Sequence, residues 1–193
     1  LERIEALRGP QGTVFGKNVV GGALSLITAK PTFESESSFY VGLGNYNGVQ
    51  SGGYYSGPLS ETVAARFSIY QNKHDGYVEN IVYGEEMEDL DSKAGRVSFT
   101  WRINENMKYD LTIDSSTEKS NGQSRHGVDD PTIPGLMTVP FLRSQDPRTN
   151  ESPYDQYANK DTFGITSRLE LDLGSSILTY LAAFREGDAD IRW

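Results

Sequence analysis

Residues 95–104 constrain this chain more than any other ten. Val97, Phe99, Trp101 and Ile103 alternate with Arg96, Ser98, Thr100, Arg102 and Asn104. Successive side chains of a β-strand point to opposite faces, so this run is a strand with one apolar side and one polar, charged side. On a helix, with 3.6 residues per turn, the same pattern would scatter both kinds of side chain around the cylinder. The period recurs along the chain. In residues 63–72, Val63, Ala65, Phe67 and Ile69 oppose Ala64, Arg66, Ser68, Tyr70 and Asn72; in residues 107–114, Met107, Tyr109, Leu111 and Ile113 oppose Lys108, Asp110, Thr112 and Asp114. Phe163, Ile165, Leu169, Leu171 and Leu173 likewise oppose Thr166, Arg168, Glu170 and Asp172. Weaker alternation elsewhere completes seven expected strands, near 39–45, 49–57, 63–73, 94–104, 107–117, 162–173 and 177–187.

The connections discriminate between ways of packing such strands. Gly57-Pro58-Leu59-Ser60-Glu61, Asn104-Glu105-Asn106 and Gly174-Ser175-Ser176 read as short turns. Between them lie two long polar segments, roughly 74–92 and 118–161. Short and long connections alternate, as in an up-and-down membrane barrel with tight turns at one rim and long loops at the other. Asn45-Tyr46-Asn47-Gly48 is the exception, a tight turn where a long loop is due. The polar sides carry Arg66, Arg96, Arg102, Lys108 and Asp110, charges that a dry sandwich core would have to bury. No run of about 18 apolar residues exists to make a transmembrane helix, but a transmembrane strand needs only about 9–11 residues with every second one apolar. The mean hydropathy of -0.52 fits a barrel or a soluble protein equally. The expected fold class is all-β, a partial antiparallel up-and-down transmembrane β-barrel. The alternative is a soluble all-β ligand-binding domain of carbohydrate-binding type, its core built from the same strand aromatics.

Composition removes several function classes. The net charge of -9 argues against a nucleic-acid partner, because a phosphate backbone requires clustered Lys and Arg. With no cysteine there are no disulfides, no thiolate catalysis and no cysteine-ligated metal. Residues 12–17 end in Gly16-Lys17 but lack the first glycine and the final hydroxyl of a phosphate-binding loop, which would fall at Gln11 and Asn18. The acidic run 85–91 lacks the spacing and central glycine of a calcium-binding loop, and reads as solvated. Asp188 and Asp190 read the same way. His74 and His126 fall in expected loops without a metal-ligating neighbour. No cofactor, no metal site and no catalytic residue is singled out by these patterns.

The first thirty residues break the alternation. A short strand from Arg3 to Leu7 stops at Gly9-Pro10; residues 10–15 fit one helical turn; Gly21-Gly22 precede a second strand, residues 23–28, closed by Pro31. Arg8-Gly9-Pro10, Gly12, Phe15-Gly16, Gly21-Gly22 and Ile27-Thr28 resemble the end of the plug domain of TonB-dependent outer-membrane receptors. Gly44-Asn45-Tyr46, Ser56-Gly57-Pro58-Leu59-Ser60, Ala64-Ala65-Arg66 and Asp75-Gly76-Tyr77-Val78-Glu79-Asn80 resemble their first barrel strands, in the same order.

The resemblance implies residues 1–32 as the C-terminal end of a plug and residues 38–193 as the N-terminal strands of an incomplete barrel. It further implies a fragment of a receptor in the outer membrane of a Gram-negative bacterium, a transporter and not an enzyme, importing a scarce ligand such as a ferric siderophore. Its partners would be outer-membrane lipid, an extracellular small ligand and a TonB-type energy-coupling protein engaged through a segment this sequence lacks. Arg8 would join a charge cluster between plug and barrel wall. Gly9, Gly12, Gly16, Gly21 and Gly22 would shape the plug turns. The fragment itself should form an open, curved sheet, with residues 1–32 against its concave, polar face.

Overall fold

The computed structural model describes residues 1–15, 19–124, 146–152 and 154–192. In chain order the elements are β1 (Arg3–Arg8), α1 (Gly12–Phe15), β2 (Gly22–Ile27), β3 (Glu36–Gly44), β4 (Gly48–Pro58), β5 (Val63–His74), β6 (Val78–Asn80), β7 (Glu85–Met87), β8 (Leu90–Asn104), β9 (Met107–Ser120), β10 (Thr149–Asn150), β11 (Tyr157–Asp172) and β12 (Ile177–Arg192). Seven of these form one sheet in the order β12-β11-β9-β8-β5-β4-β3, every neighbouring pair antiparallel. β1 and β2 form a separate antiparallel hairpin, and β10-β6-β7 a small sheet within the long connections.

Each of the seven expected strands is present, and several run longer than the alternation suggested. β8 begins at Leu90, β9 ends at Ser120, β11 begins at Tyr157 and β12 continues to Arg192. In these extensions most side chains on both faces are polar, and the few apolar ones, such as Leu90, Ala158 and Ile191, do not alternate over a run, so no period marks them. Lys73, Asp91, Lys119, Asn159 and Asp190 stand in one register row, with Ser92, Glu118 and Lys160 on the other face. The backbone ladder continues without an apolar face because its hydrogen bonds do not depend on side chains.

The tight turn between β3 and β4 is real. Three residues separate the last pair, Gly44 and Gly48; Tyr46 and Asn47 both have positive φ, 57° and 52°, and Gly48 N–H closes the turn on the Asn45 carbonyl at 3.0 Å. Asp75 N–H donates to the Tyr46 carbonyl at 2.8 Å, and the Asn47 side-chain amide donates to the Asp75 carboxylate, so this turn is tied to the next connection.

The long connections also differ from the solvated loops expected. β6 pairs with β7 and, in parallel, with β10 about 70 residues later. Val78 and Met87 are buried between them, and Asn80 is buried with its amide donating to the Ser152 carbonyl at 3.2 Å. Gly76 sits so close to β7 that a Cβ there would lie 2.5 Å from the Met87 carbonyl oxygen.

The helical turn occupies Gly12–Phe15 rather than residues 10–15. Gln11 N–H donates to the Val19 carbonyl at 3.0 Å, so the chain is still following the hairpin there. The link after β2 runs onto the sheet. Thr32 donates from its N–H and its hydroxyl to the buried Ser56 Oγ, both at 2.9 Å. Lys30 Nζ lies 3.7 Å from the Asp110 carboxylate, and the Arg102 guanidinium lies 3.7 Å over the Phe33 ring.

Candidate functional site: a wall with two faces

Register sorts the large sheet into two surfaces. On one, Tyr55, Phe67, Val97, Ile113, Ile165 and Phe184 form a continuous row across six strands. Towards the short turns, further rows of this surface contain Ala65, Phe99 and Leu111, then Val63, Trp101, Tyr109, Leu169 and Tyr180. Nothing described covers this surface: Leu43 is 82% exposed and Phe39 70%, and Ile69, Tyr180 and Phe184 are also exposed. An uncovered apolar surface of this extent calls for an apolar neighbour. The apolar stretch covers seven residues on β5, β8, β9 and β12 and nine on β11, within strands of 12 to 16 residues that are long enough to cross a bilayer when tilted.

The other surface is polar and paired. Arg66 bonds Glu36 at 2.7 Å and lies 3.8 Å over the Tyr54 ring; Lys160 meets Glu118 at 3.1 Å; Arg168 pairs with Glu170. Hydroxyls fill the intervals, with Ser98 to Thr112 at 3.0 Å, Ser116 to Thr162 at 2.7 Å, and Thr100 donating to Asp110 at 2.6 Å. Residues 27–31 pass over this polar side, where Thr28 and Ala29 share two clefts with Ser98, Arg66 and Arg168. Residues 27–31, with Leu1 in the first cleft, therefore lie against the polar face.

The singled-out residues fare unequally. Gly9 has φ +84° and Gly22 φ +147°, and a Cβ at Gly22 would sit 2.5 Å from the Leu7 carbonyl oxygen. Both positions require glycine. Gly12 and Gly21 have open space around them and ordinary backbone, so nothing in the described structure demands glycine there. Gly16 lies outside the described residues, as do Lys17, Asn18 and His126. Arg8 ends β1 opposite Gly22 and is exposed; among the described residues it has no ion-pair partner.

The acidic run is structural. Glu88, at φ 62°, accepts from Ser124 N–H at 2.8 Å, from the Ser124 hydroxyl at 3.1 Å and from the Tyr77 hydroxyl at 3.4 Å. Burial, and then the Glu88 carboxylate, push the Tyr77 phenol above its ordinary value. Asp89 caps Asn121 N–H. Among the described residues no group of three or more His, Asp or Glu is placed to hold a metal. His74 stacks near Tyr77, with ring centroids 6.3 Å apart, and its Nδ1 lies 3.0 Å from the Asp75 carbonyl. Asp188 and Asp190 stand exposed on β12 above the apolar band.

Sequence reasoning missed one cluster. Asp114 on β9 accepts from Arg185 on β12 with both carboxylate oxygens at 3.2 Å, and Arg96 on β8 reaches it at 3.8 Å. Its only signal is positional: inward-facing residues of three different strands in one register row.

No protein-family model matches the chain. The ferrioxamine B receptor of Salmonella typhimurium is 28% identical over 167 residues, covering 83% of this chain and 22% of the relative. The vitamin B12 transporter BtuB of Photobacterium profundum is 32% identical over 77 residues, 40% of this chain and 13% of the relative. Among solved structures, the ferric yersiniabactin uptake receptor FyuA from Yersinia pestis superposes with a TM-score of 0.78 at 20% identity, over 97% of this chain and 28% of that one. The chain thus spans about a fifth of the length of its first curated relative. Its fold is that of a partial outer-membrane barrel with the end of its plug, and the chain is similar to TonB-dependent outer-membrane receptors of Gram-negative bacteria. The soluble carbohydrate-binding alternative fails on two counts: no second sheet covers the apolar surface among the described residues, and the relatives are receptors and transporters.

Proposed function

We propose that residues 1–32 are the end of a plug domain and residues 38–193 the first strands of the surrounding barrel, in a receptor that imports a scarce extracellular ligand. The observation that carries this reading is the pairing of an uncovered apolar surface with a charged, hydroxyl-lined one on the same strands. Lipid solvates the first, and a water-filled lumen the second. The end bearing the turns after β4, β8 and β11 faces the periplasm. The end bearing the small β10-β6-β7 sheet faces outwards. The ligand class is a ferric siderophore, supported by the relatives named for ferrioxamine and yersiniabactin. The receptor moves its ligand without making or breaking a covalent bond, and a TonB-type partner acting on the plug supplies the energy. Arg8, freed of partners in the hairpin, meets carboxylates of the barrel wall in the whole receptor.

The test is growth. The whole receptor should let a strain lacking its own ferrioxamine receptor grow with ferrioxamine B as sole iron source, and only with a working TonB system. Growth on cobalamin instead would move the ligand to that class. Failure with ferrioxamine B, a panel of other siderophores and cobalamin alike, from receptor shown to be in the outer membrane, would overturn the uptake reading.

A further inference from the structure

Several charges on the polar face are balanced one to one, Arg66 with Glu36, Lys160 with Glu118 and Arg168 with Glu170, while Asp110 is met by two flexible lysines, Lys30 at 3.7 Å and Lys108 at 3.6 Å. The cluster around Asp114 differs. Two guanidiniums, from Arg96 and Arg185, share one carboxylate that is only 15% exposed. Arg185 occupies both carboxylate oxygens at 3.2 Å, which leaves Arg96 a long 3.8 Å contact. The Arg96 Nε–H is buried and has no hydrogen-bond partner. A buried unpaired donor on a charged group is costly; Arg168 Nε shares that condition, but only Arg96 combines it with a second guanidinium on the same carboxylate. The cluster opens into a cleft of about 430 Å³, lined also by Ser68, Tyr70, Ser116 and Thr162. Gly164 makes room for it, since a Cβ there would lie 2.8 Å from an Arg185 terminal nitrogen.

We propose that Arg96 and Arg185 form an oxyanion-binding station on the lumen wall, taking a second carboxylate-like anion beside Asp114. Planar guanidiniums donate in a fork that matches a carboxylate, and two of them on one acidic group leave one positive charge to be met. Asp114 holds the arginines in place and limits how tightly the incoming anion binds, so that the anion is able to leave again. The anion is either a carboxylate from another part of the whole receptor or a soluble anion passing through the lumen. The inference rests on reading this face as a wall open to water, and its test involves no transport.

The test is arginine modification by phenylglyoxal, read by mass spectrometry on the whole receptor in detergent. Arg185 is the reporter. Arg192 is its internal standard, matched in exposure at 58% against 59% and likewise bonded to a single carboxylate, Asp155. Malonate is the probe. A soluble source predicts that malonate slows modification of Arg185 relative to Arg192 at least about fivefold, saturably, and that R96Q removes the effect. D114N removes the competing internal anion, so the half-protecting malonate concentration should then fall about tenfold. An internal carboxylate predicts protection of Arg185 without malonate, again lost in R96Q. Because R96Q carries a risk of misfolding, R96K provides a second variant, which keeps the charge, loses the fork and should protect only in part. Protection that persists in R96Q and R96K is steric cover and overturns the proposal. So does an Arg185 that reacts like Arg192 with and without malonate, in both the natural protein and D114N.

Discussion

Ala182 and Ala183 offer a stringent test of which way the sheet faces. They are the same residue, adjacent on β12, at the same depth along the strand. Ala182 pairs with Ser167 and stands on the apolar surface between Tyr180 and Phe184; Ala183 pairs with Thr166 on the polar surface. Changing either to Arg adds the same side chain to the same backbone and removes only a methyl group. On β12 the apolar surface runs from Leu178 to Phe184, which puts Ala182 near the middle of the bilayer. An Arg on the lipid face there costs about 2–4 kcal/mol, whereas lumen substitutions leave stability close to unchanged. At about 1.4 kcal/mol per decade, A182R should lower the folding equilibrium constant by about 30-fold to several-hundred-fold, and A183R by little. The assay is urea-dependent folding of the whole receptor into lipid vesicles, followed by tryptophan fluorescence. Equal costs for the two variants, or a larger cost for A183R, would refute the assignment of faces whatever the absolute stability.

Other consequences concern the hairpin, the outer loops and the fragment itself. Substitution of Gly22 by Ala should destabilise the β1–β2 hairpin by about 2–3 kcal/mol, Gly9→Ala by about 1, and Gly21→Ala hardly at all, an order readable from amide hydrogen exchange of residues 3–8. A flat ranking would show that backbone conformation at Gly22 is not the constraint. E88Q should weaken the anchoring of residues 120–124 by about 1–3 kcal/mol and increase protease cleavage of the long connections while the barrel strands stay intact. Tyr77 is held protonated in the folded loop. Its contribution is therefore complete below the ordinary phenol range and is lost as pH rises through the elevated folded value, so loop cleavage should increase only in strong alkali. Cleavage independent of pH up to that range and beyond would remove Tyr77 from the latch. The 193-residue chain alone should require detergent, because its apolar surface is uncovered and β3 and β12 are open edges. A monodisperse, cooperatively unfolding monomer in plain buffer would contradict the membrane reading.

What was legible in the sequence and what was not divides along physical lines. Strands such as residues 95–104 announce themselves because one face meets an apolar phase and the other does not; the pattern records a difference in surroundings. Where both faces meet water, as in residues 90–93, 118–120 and 188–192, the difference vanishes and so does the signal, although the ladder continues. The small outer sheet was invisible for another reason. Its strands are two or three residues long, and the pairing of Thr149 with Glu79 is parallel and distant, so no local period encodes it. In the plug-like hairpin, Gly9 and Gly22 have a visible backbone reason, while Gly12 and Gly21 do not, and a run of glycines in sequence gave no means of separating them. The Arg96–Asp114–Arg185 cluster needed the register of three strands before its members could be seen to meet.

Register also gives the strand tilt without any reference to a membrane. The upper edge of the apolar surface lies at Phe184 on β12, where Glu186, Asp188 and Asp190 follow on the same face. On β3 the apolar residues continue to Leu43, three same-face rows higher in the ladder. From end to end the edge climbs about six residues, or about 20 Å, across six inter-strand spacings, or about 29 Å, most of the rise falling between β5 and β3, since Val97 and Ile113 top the band level with Phe184. A flat apolar slab meets the sheet along a level line, so a climbing edge means strands inclined to the slab normal by about 35°. Strands that close into a membrane barrel incline by about 35–45°. A sandwich buried against a second sheet has no reason to shift its apolar boundary three rows from one edge strand to the other. The sequence alone held both quantities, the apolar residues and their spacing along each strand, but only the pairing of one strand with the next turns them into an angle.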